Sequence, residues 1–319
     1  MEQRYVGRTG LRVSRLGLGT MTWGRDTDEH EAADQLHDLL DAGGSLVDVG
    51  TAYGEGDCEE VLGKLLGSVA PRDEIVISAK AAVPVFRTGP DVSRRSLLNS
   101  LDATLTRLGV EHVDLWTVPG WSSRVPLDET LSALERAVHS GRVRYTGLAN
   151  VSGWQATLAT TAGLASGRAA VTATGPIAVQ TEYSLVQREI ERELIPAADY
   201  LGLGVIAWSP LGRGVLTGKY RTGTPADSRA ASPHLASFVE PYLDRLARRI
   251  VDAVTTAADG LGCAPLEVAL AWVRDRPGVS SVLVGARTAA QLRGSLASED
   301  VELPGEILRA LDEISLGAT

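Results

Sequence analysis

Eight short apolar runs recur along the 319 residues, beginning near positions 16, 46, 75, 113, 145, 177, 205 and 281. Typical examples are Leu46-Val47, Ile75-Val76-Ile77, Val205-Ile206-Ala207-Trp208 and Ser281-Val282-Leu283-Val284. They do not alternate apolar with polar residues, as strands wetted on one face do. Between them lie segments with leucines at helical spacing, such as Leu97, Leu101, Leu105 and Leu108, closed by Gly109. This alternation predicts a parallel sheet covered by helices. Eight units in one chain favour a closed (β/α)8 TIM barrel over an open doubly wound sheet. Neither a GxGxxG fingerprint nor a P-loop opens the first unit. The stretch from Arg4 to Val13 reads as an N-terminal β-hairpin turning at Gly10. The expectation is an α/β chain whose residues 1–319 form one barrel domain.

The net charge of −9 argues against a nucleic-acid backbone or an anionic membrane as partner. No leader-like start and no apolar run near 18 residues is evident, so a cytoplasmic protein is expected. Cys58 and Cys263 match neither a metal spacing nor a disulfide framework. The polar connection from Gly218 to about Pro241 has no helical stripe and reads either as a lid or as a mobile loop.

In a barrel of this kind, residues just past the C-terminal strand ends converge on one mouth. That rule gathers Asp48 and Tyr53, Lys80, Pro119 and Trp121, Asn150, Gln180 and Tyr183, Ser209 to Gly212, and Gly285 to Arg287. Asp48 ends a buried run, where an unpaired carboxylate costs several kcal/mol. Taken singly, Asp48 is as readily a capping carboxylate and Lys80 a solvated strand end. Placed on neighbouring strands beside Tyr53, the three form a proton-handling trio. The lysine favours the phenolate and so draws the tyrosine's pKa down, while Asp48 keeps the lysine charged. Such a tyrosine can act as general acid toward a carbonyl oxygen that receives a hydride. Trp23, Phe86, Pro119 and Trp121 are candidate walls of a substrate pocket.

The chain resembles the aldo-keto reductases over nearly its whole length. The resemblance rests on Asp48-Val49-Gly50-Thr51-Ala52-Tyr53-Gly54, Lys80, Val113-Asp114-Leu115-Trp116 and Gln180-Thr181-Glu182-Tyr183-Ser184. It continues through Trp208-Ser209-Pro210-Leu211-Gly212-Arg213-Gly214, Leu216-Thr217-Gly218-Lys219-Tyr220, Gly285-Ala286-Arg287-Thr288 and Gln291-Leu292. The order and spacing of these pieces carry it. It implies NADPH as hydride donor to a small-molecule carbonyl substrate, with Tyr53 as acid, Lys80 as its tuner and Asp48 as the lysine's partner. It further implies that Asn150 and Gln180 hold the nicotinamide carboxamide and that Tyr183 stacks on the ring. Ser209, Leu211, Gly212 and Gly214 would cradle the pyrophosphate with backbone amides. Arg287 and Thr288 would meet the 2′-phosphate, Gln291 and Ser295 the adenosine end, and Gly285 and Lys219 are further cofactor-binding candidates.

One position departs from the family pattern. Pro119 stands where the family usually has a histidine, and proline offers no side-chain hydrogen bond. A donor of that kind contributes about 2.7–4 kcal/mol to transition-state stabilisation where a reaction depends on it. His112 precedes the strand and belongs to the opposite end of the barrel. Ala149 and Ser295 replace a serine and an asparagine that the family often uses at the cofactor. Two hypotheses therefore stand: an atypical or slow NADPH-dependent reductase, and an NADPH-binding barrel with little turnover that serves as a cofactor sensor or subunit. A non-redox lyase or isomerase leaves the Ser209 loop and Arg287 without a purpose.

Overall fold

The structure is a computed structural model describing residues 1–86, 89–165, 175–226, 228–232 and 236–318. The chain opens with β1 (Gln3–Tyr5) and β2 (Arg12–Ser14), an antiparallel hairpin. Then β3 (Leu16–Gly19), β4 (Leu46–Gly50), β5 (Val76–Lys80), the short pair β6 (Val85–Phe86) and β7 (Gly89–Pro90), and β8 (Val113–Val118) follow. β9 (Val143–Ala149), β10 (Pro176–Glu182), β11 (Gly204–Trp208) and β12 (Val279–Val284) complete the strands. Among the described residues, eight of these close into one parallel barrel in the order β3-β4-β5-β8-β9-β10-β11-β12. Each strand matches one of the apolar runs read from the sequence.

Helices α1 (Glu29–Asp41), α2 (Asp57–Leu65), α3 (Arg94–Leu108), α4 (Leu127–His139), α5 (Gly153–Ala165) and α6 (Leu194–Leu201) pack outside the strands. α7 (Arg245–Leu261), α8 (Pro265–Arg274), α9 (Ala289–Leu296) and α10 (Gly305–Ser315) follow. Their ends obey local chemistry. Asp28 caps α1 by accepting from the Glu31 amide at 2.9 Å, and Ser93 caps α3. Gly109 closes α3 in the left-handed region at φ 64°. None of the described helices is long and apolar enough to cross a membrane.

The hairpin plugs the N-terminal end of the barrel. Val6 and Val13 are buried against Leu46, Leu115, Ile177, Ile206 and Leu283 in the interior. The connection from Val6 to Gly10 bends throughout, and Gly7 takes the left-handed region (φ 57°), where a Cβ would lie 2.3 Å from the Gly202 carbonyl oxygen. With that end plugged, the polar residues at the C-terminal strand ends face a cavity at the other end.

Candidate active site

Asp48 sits near the end of β4, 1% exposed, with an interior that offers no water to solvate its charge. Three neighbours replace that water. Lys80 Nζ donates to Oδ2 at 2.8 Å, while Ser78 Oγ (2.9 Å) and Gln180 Nε2 (2.8 Å) donate to Oδ1. Parallel pairing puts Asp48 level with Ser78 and Gly50 level with Lys80, so side chains two residues apart on β5 reach the same carboxylate. Lys80 lies 5.2 Å from the centroid of the Tyr53 ring. Burial opposes the lysine's charge, but Asp48 and Tyr53 more than offset it and hold the ammonium well above the usual lysine range.

Tyr53 departs from its expected titration. Burial pushes the phenol up, and the opposing pull of Lys80 is smaller; the nearby Asp48 charge adds to the rise. The net shift is upward, so the lysine tempers the tyrosine's pKa without lowering it below the ordinary value. The phenol keeps its proton at neutral pH.

These groups line a cavity of about 650 Å³. Asp48, Tyr53, Lys80, Pro119, Asn150, Ser209, Leu211, Gly214, Lys219, Gly285, Arg287, Gln291 and Ser295 form its walls, joined by Met21, Ala52, Ala149 and Trp208. Non-glycine residues with positive φ mark the same loops: Glu55 beyond Tyr53, Asn150 after β9, and Ser209 and Arg213 after β11. Backbone held in this region costs about 1–3 kcal/mol per residue and concentrates at functional sites. Gln180 lies just beneath. Its amide nitrogen is engaged by Asp48, while its buried Oε1 has no hydrogen-bond partner among the described residues. An orphaned buried acceptor calls for a donor that the protein itself does not supply.

Several expected residues lie elsewhere. Tyr183 is 1% exposed, packed at 5.4 Å on the Trp272 ring, with its hydroxyl donating to Glu191 at 2.7 Å. Its backbone amide donates to the Trp208 carbonyl, and the chain turns there, so Trp208 rather than Tyr183 reaches the cavity. Gly212 faces Val186 in the interior, and Thr288 is spent capping α9 by accepting from the Gln291 amide. Of the proposed substrate walls only Pro119 lines the cavity. Trp23 is fully buried and donates to Gln35 at 2.9 Å; Trp121 packs edge-on against Trp154; Phe86 projects from β6, 60% exposed. His112 precedes β8 and lies 3.9 Å from Asp114, away from the mouth.

Reading the sequence missed Arg229. The described part of the 218–241 connection brings Arg229 and Phe238 to the cavity wall. Residues 227 and 233–235 of that connection lie outside the described residues. The Arg229 guanidinium makes no hydrogen bond or ion pair among the described residues; burial and then the like charge of Arg287 push its pKa down. Phe238 stacks on Arg213, 3.9 Å from the ring centroid, and Arg213 is held by two bonds to Glu182 at 2.6 and 2.8 Å. Two guanidiniums facing one cavity fit a doubly charged anion. No cluster of three His, Cys, Asp or Glu that could hold a metal occurs among the described residues.

The model of the "Aldo/keto reductase family" matches residues 15–316. The chain belongs to the aldo/keto reductase family. Among its relatives is "Uncharacterized oxidoreductase YrpG" of Bacillus subtilis, 36% identical over 99% of this chain and 97% of that protein. Two others, from Arabidopsis thaliana and Oryza sativa, carry the name "Probable voltage-gated potassium channel subunit beta" and are 33% and 34% identical over 94% of this chain and 92% of each relative. Aldo/keto reductases generally use a nicotinamide dinucleotide, and the family membership gives this chain a general oxidoreductase role. The orphaned Gln180 acceptor and the cationic end of the cavity fit such a cofactor.

Proposed function

We propose that this protein is an NADPH-dependent reductase that converts a small-molecule aldehyde or ketone to an alcohol, with Tyr53 as general acid. The observation that carries the reading is the 2.8 Å Lys80–Asp48 ion pair beside Tyr53 in the cavity wall. When bound, the dinucleotide supplies the hydride. Tyr53 gives its phenolic proton to the carbonyl oxygen as negative charge develops there. Lys80 stabilises the phenolate left behind, and Asp48, with Ser78 and Gln180 bonded to it, keeps the ammonium aimed at the phenol. Gln180 Oε1 and Asn150 would hold the carboxamide, and Trp208 would cover the nicotinamide ring. Ser209, Leu211, Gly214 and Lys219 would hold the pyrophosphate. Arg229 and Arg287 would take the 2′-phosphate, while Gln291 and Ser295 would face the adenosine end.

Pro119 supports a second reading, an NADPH-binding barrel with little turnover, because at that point of the wall proline offers the carbonyl no side-chain donor to work with Tyr53. The relatives named as channel subunits add weight to it. Fluorescence titration with NADPH, followed by cofactor oxidation over a panel of carbonyl compounds, separates the two. Binding with turnover supports the reductase; binding without turnover on any compound supports the sensor or subunit; no binding refutes both.

A further inference from the structure

Behind the Tyr53 loop lies a charged cluster that the chemistry above does not use. Glu59, in the first turn of α2, is 0% exposed. Its carboxylate accepts from Arg107 Nε at 2.5 Å, from Thr104 Oγ1 at 2.9 Å and from Thr51 Oγ1 at 3.1 Å. Arg107 also donates to Thr51 Oγ1 at 2.6 Å. The Thr51 hydroxyl is thus both acceptor and donor within one closed ring of bonds. None of these four residues lines the cavity.

The cluster grips the loop at both ends. Thr51 directly follows β4 and stands two residues before Tyr53. At the far end, a Cβ on Gly56 would lie 2.7 Å from Arg107 Nε, so the guanidinium rests directly on the backbone. Between the two grips the loop takes positive φ at Gly54 (62°), Glu55 (57°) and Gly56 (108°). The two glycines take this region freely, but Glu55 does so at a cost of about 1–3 kcal/mol, which the surrounding contacts must offset. Arg107 reaches across from α3, which follows the strand of Lys80, so the cluster ties the loop of the acid to the unit that delivers its partner. Buried ion pairs add little stability over apolar residues of similar size, so stability alone does not account for this one.

We propose that Glu59, Arg107 and Thr51 are positioning residues that clamp the loop carrying Tyr53 and set the phenol's place at the reacting carbonyl. The proposal rests on the reading of Tyr53 as the acid. Thr51→Val keeps the volume of the side chain and removes its hydroxyl; Thr51→Ser keeps the hydroxyl. Both are compared with wild type and with Tyr53→Phe in kcat, KM, NADPH affinity and melting temperature. The Val variant is expected to lose about tenfold or more in kcat. Its KM and NADPH affinity stay within about twofold, and the Ser variant recovers the rate. A Val variant that melts earlier yet keeps the wild-type kcat overturns the clamp. Retained turnover in Tyr53→Phe would instead remove the acid reading, and the clamp is then judged by fluorine NMR of fluorotyrosine placed at position 53. A line moved or split by Thr51→Val and restored by Thr51→Ser supports the clamp, and an unchanged line overturns it.

Discussion

Arg229→Gln isolates the selectivity for a 2′-phosphate. In the structure this guanidinium lines the cavity near Arg287 without a hydrogen bond or ion pair among the described residues. Hydrogen bonds to a charged group contribute about 1.5–3 kcal/mol each. Losing one such contact weakens binding about 10- to 150-fold, at 1.4 kcal/mol per tenfold. NADPH titrations of the variant should show a loss in that range, and NADH titrations almost none, since NADH has no 2′-phosphate to lose. The free protein should tell the opposite story. Removing one of two neighbouring like charges relieves repulsion, so the melting temperature without cofactor should hold or rise. Equal weakening of NADPH and NADH, or a protein that is markedly less stable when empty, would refute the assignment of Arg229 to an anion.

Other outcomes follow from the same geometry. Pro119→His should raise the rate on simple aldehydes by up to the two or three orders of magnitude that about 2.7–4 kcal/mol represents; an unchanged rate would show that the pocket polarises the carbonyl by other means. Because burial raises the Tyr53 pKa and the acid must carry its proton, the reduction rate should stay level through neutral pH and fall only above the ordinary tyrosine value of 10.0; a rate falling between pH 7 and 9, about the span where a lowered phenol would titrate, argues against this environment. Cys58, buried and bonded to the Gly50 carbonyl, has its thiol pushed by burial from 9.0 to about 11. The folded protein therefore loses stability as pH rises from 9.0 through about 11, and mass spectrometry should show Cys58 resisting alkylation near neutral pH while the partly exposed Cys263 reacts. Gly7→Ala places a methyl 2.3 Å from the Gly202 carbonyl at φ 57° and should lower stability by more than about 1–2 kcal/mol in denaturant melts.

The barrel was legible because buried parallel strands leave continuous apolar runs, and each of the eight runs became a strand. Asp48, Tyr53 and Lys80 were legible because the C-terminal strand ends must converge, which parallel pairing enforces. Tyr183, expected at the cavity, lies away from it, and Trp208 lines the wall there. Trp208 ends β11 and lines the cavity, whereas Tyr183 directly follows β10 and packs on the Trp272 ring. Arg229 sits in a connection with no period, and only the folded path of that connection brings it to Gly285. The Glu59–Arg107 pair spans 48 residues between two helices, so neither side chain announces the other in the sequence.

On the proposed reading, Tyr53 delivers the proton during carbonyl reduction. Single-turnover oxidation of bound NADPH, with Tyr53→Phe set against wild type, tests it most directly. NADPH affinity should be unchanged and the chemical step slowed by at least about two orders of magnitude. A variant that oxidises NADPH at the wild-type rate would contradict it.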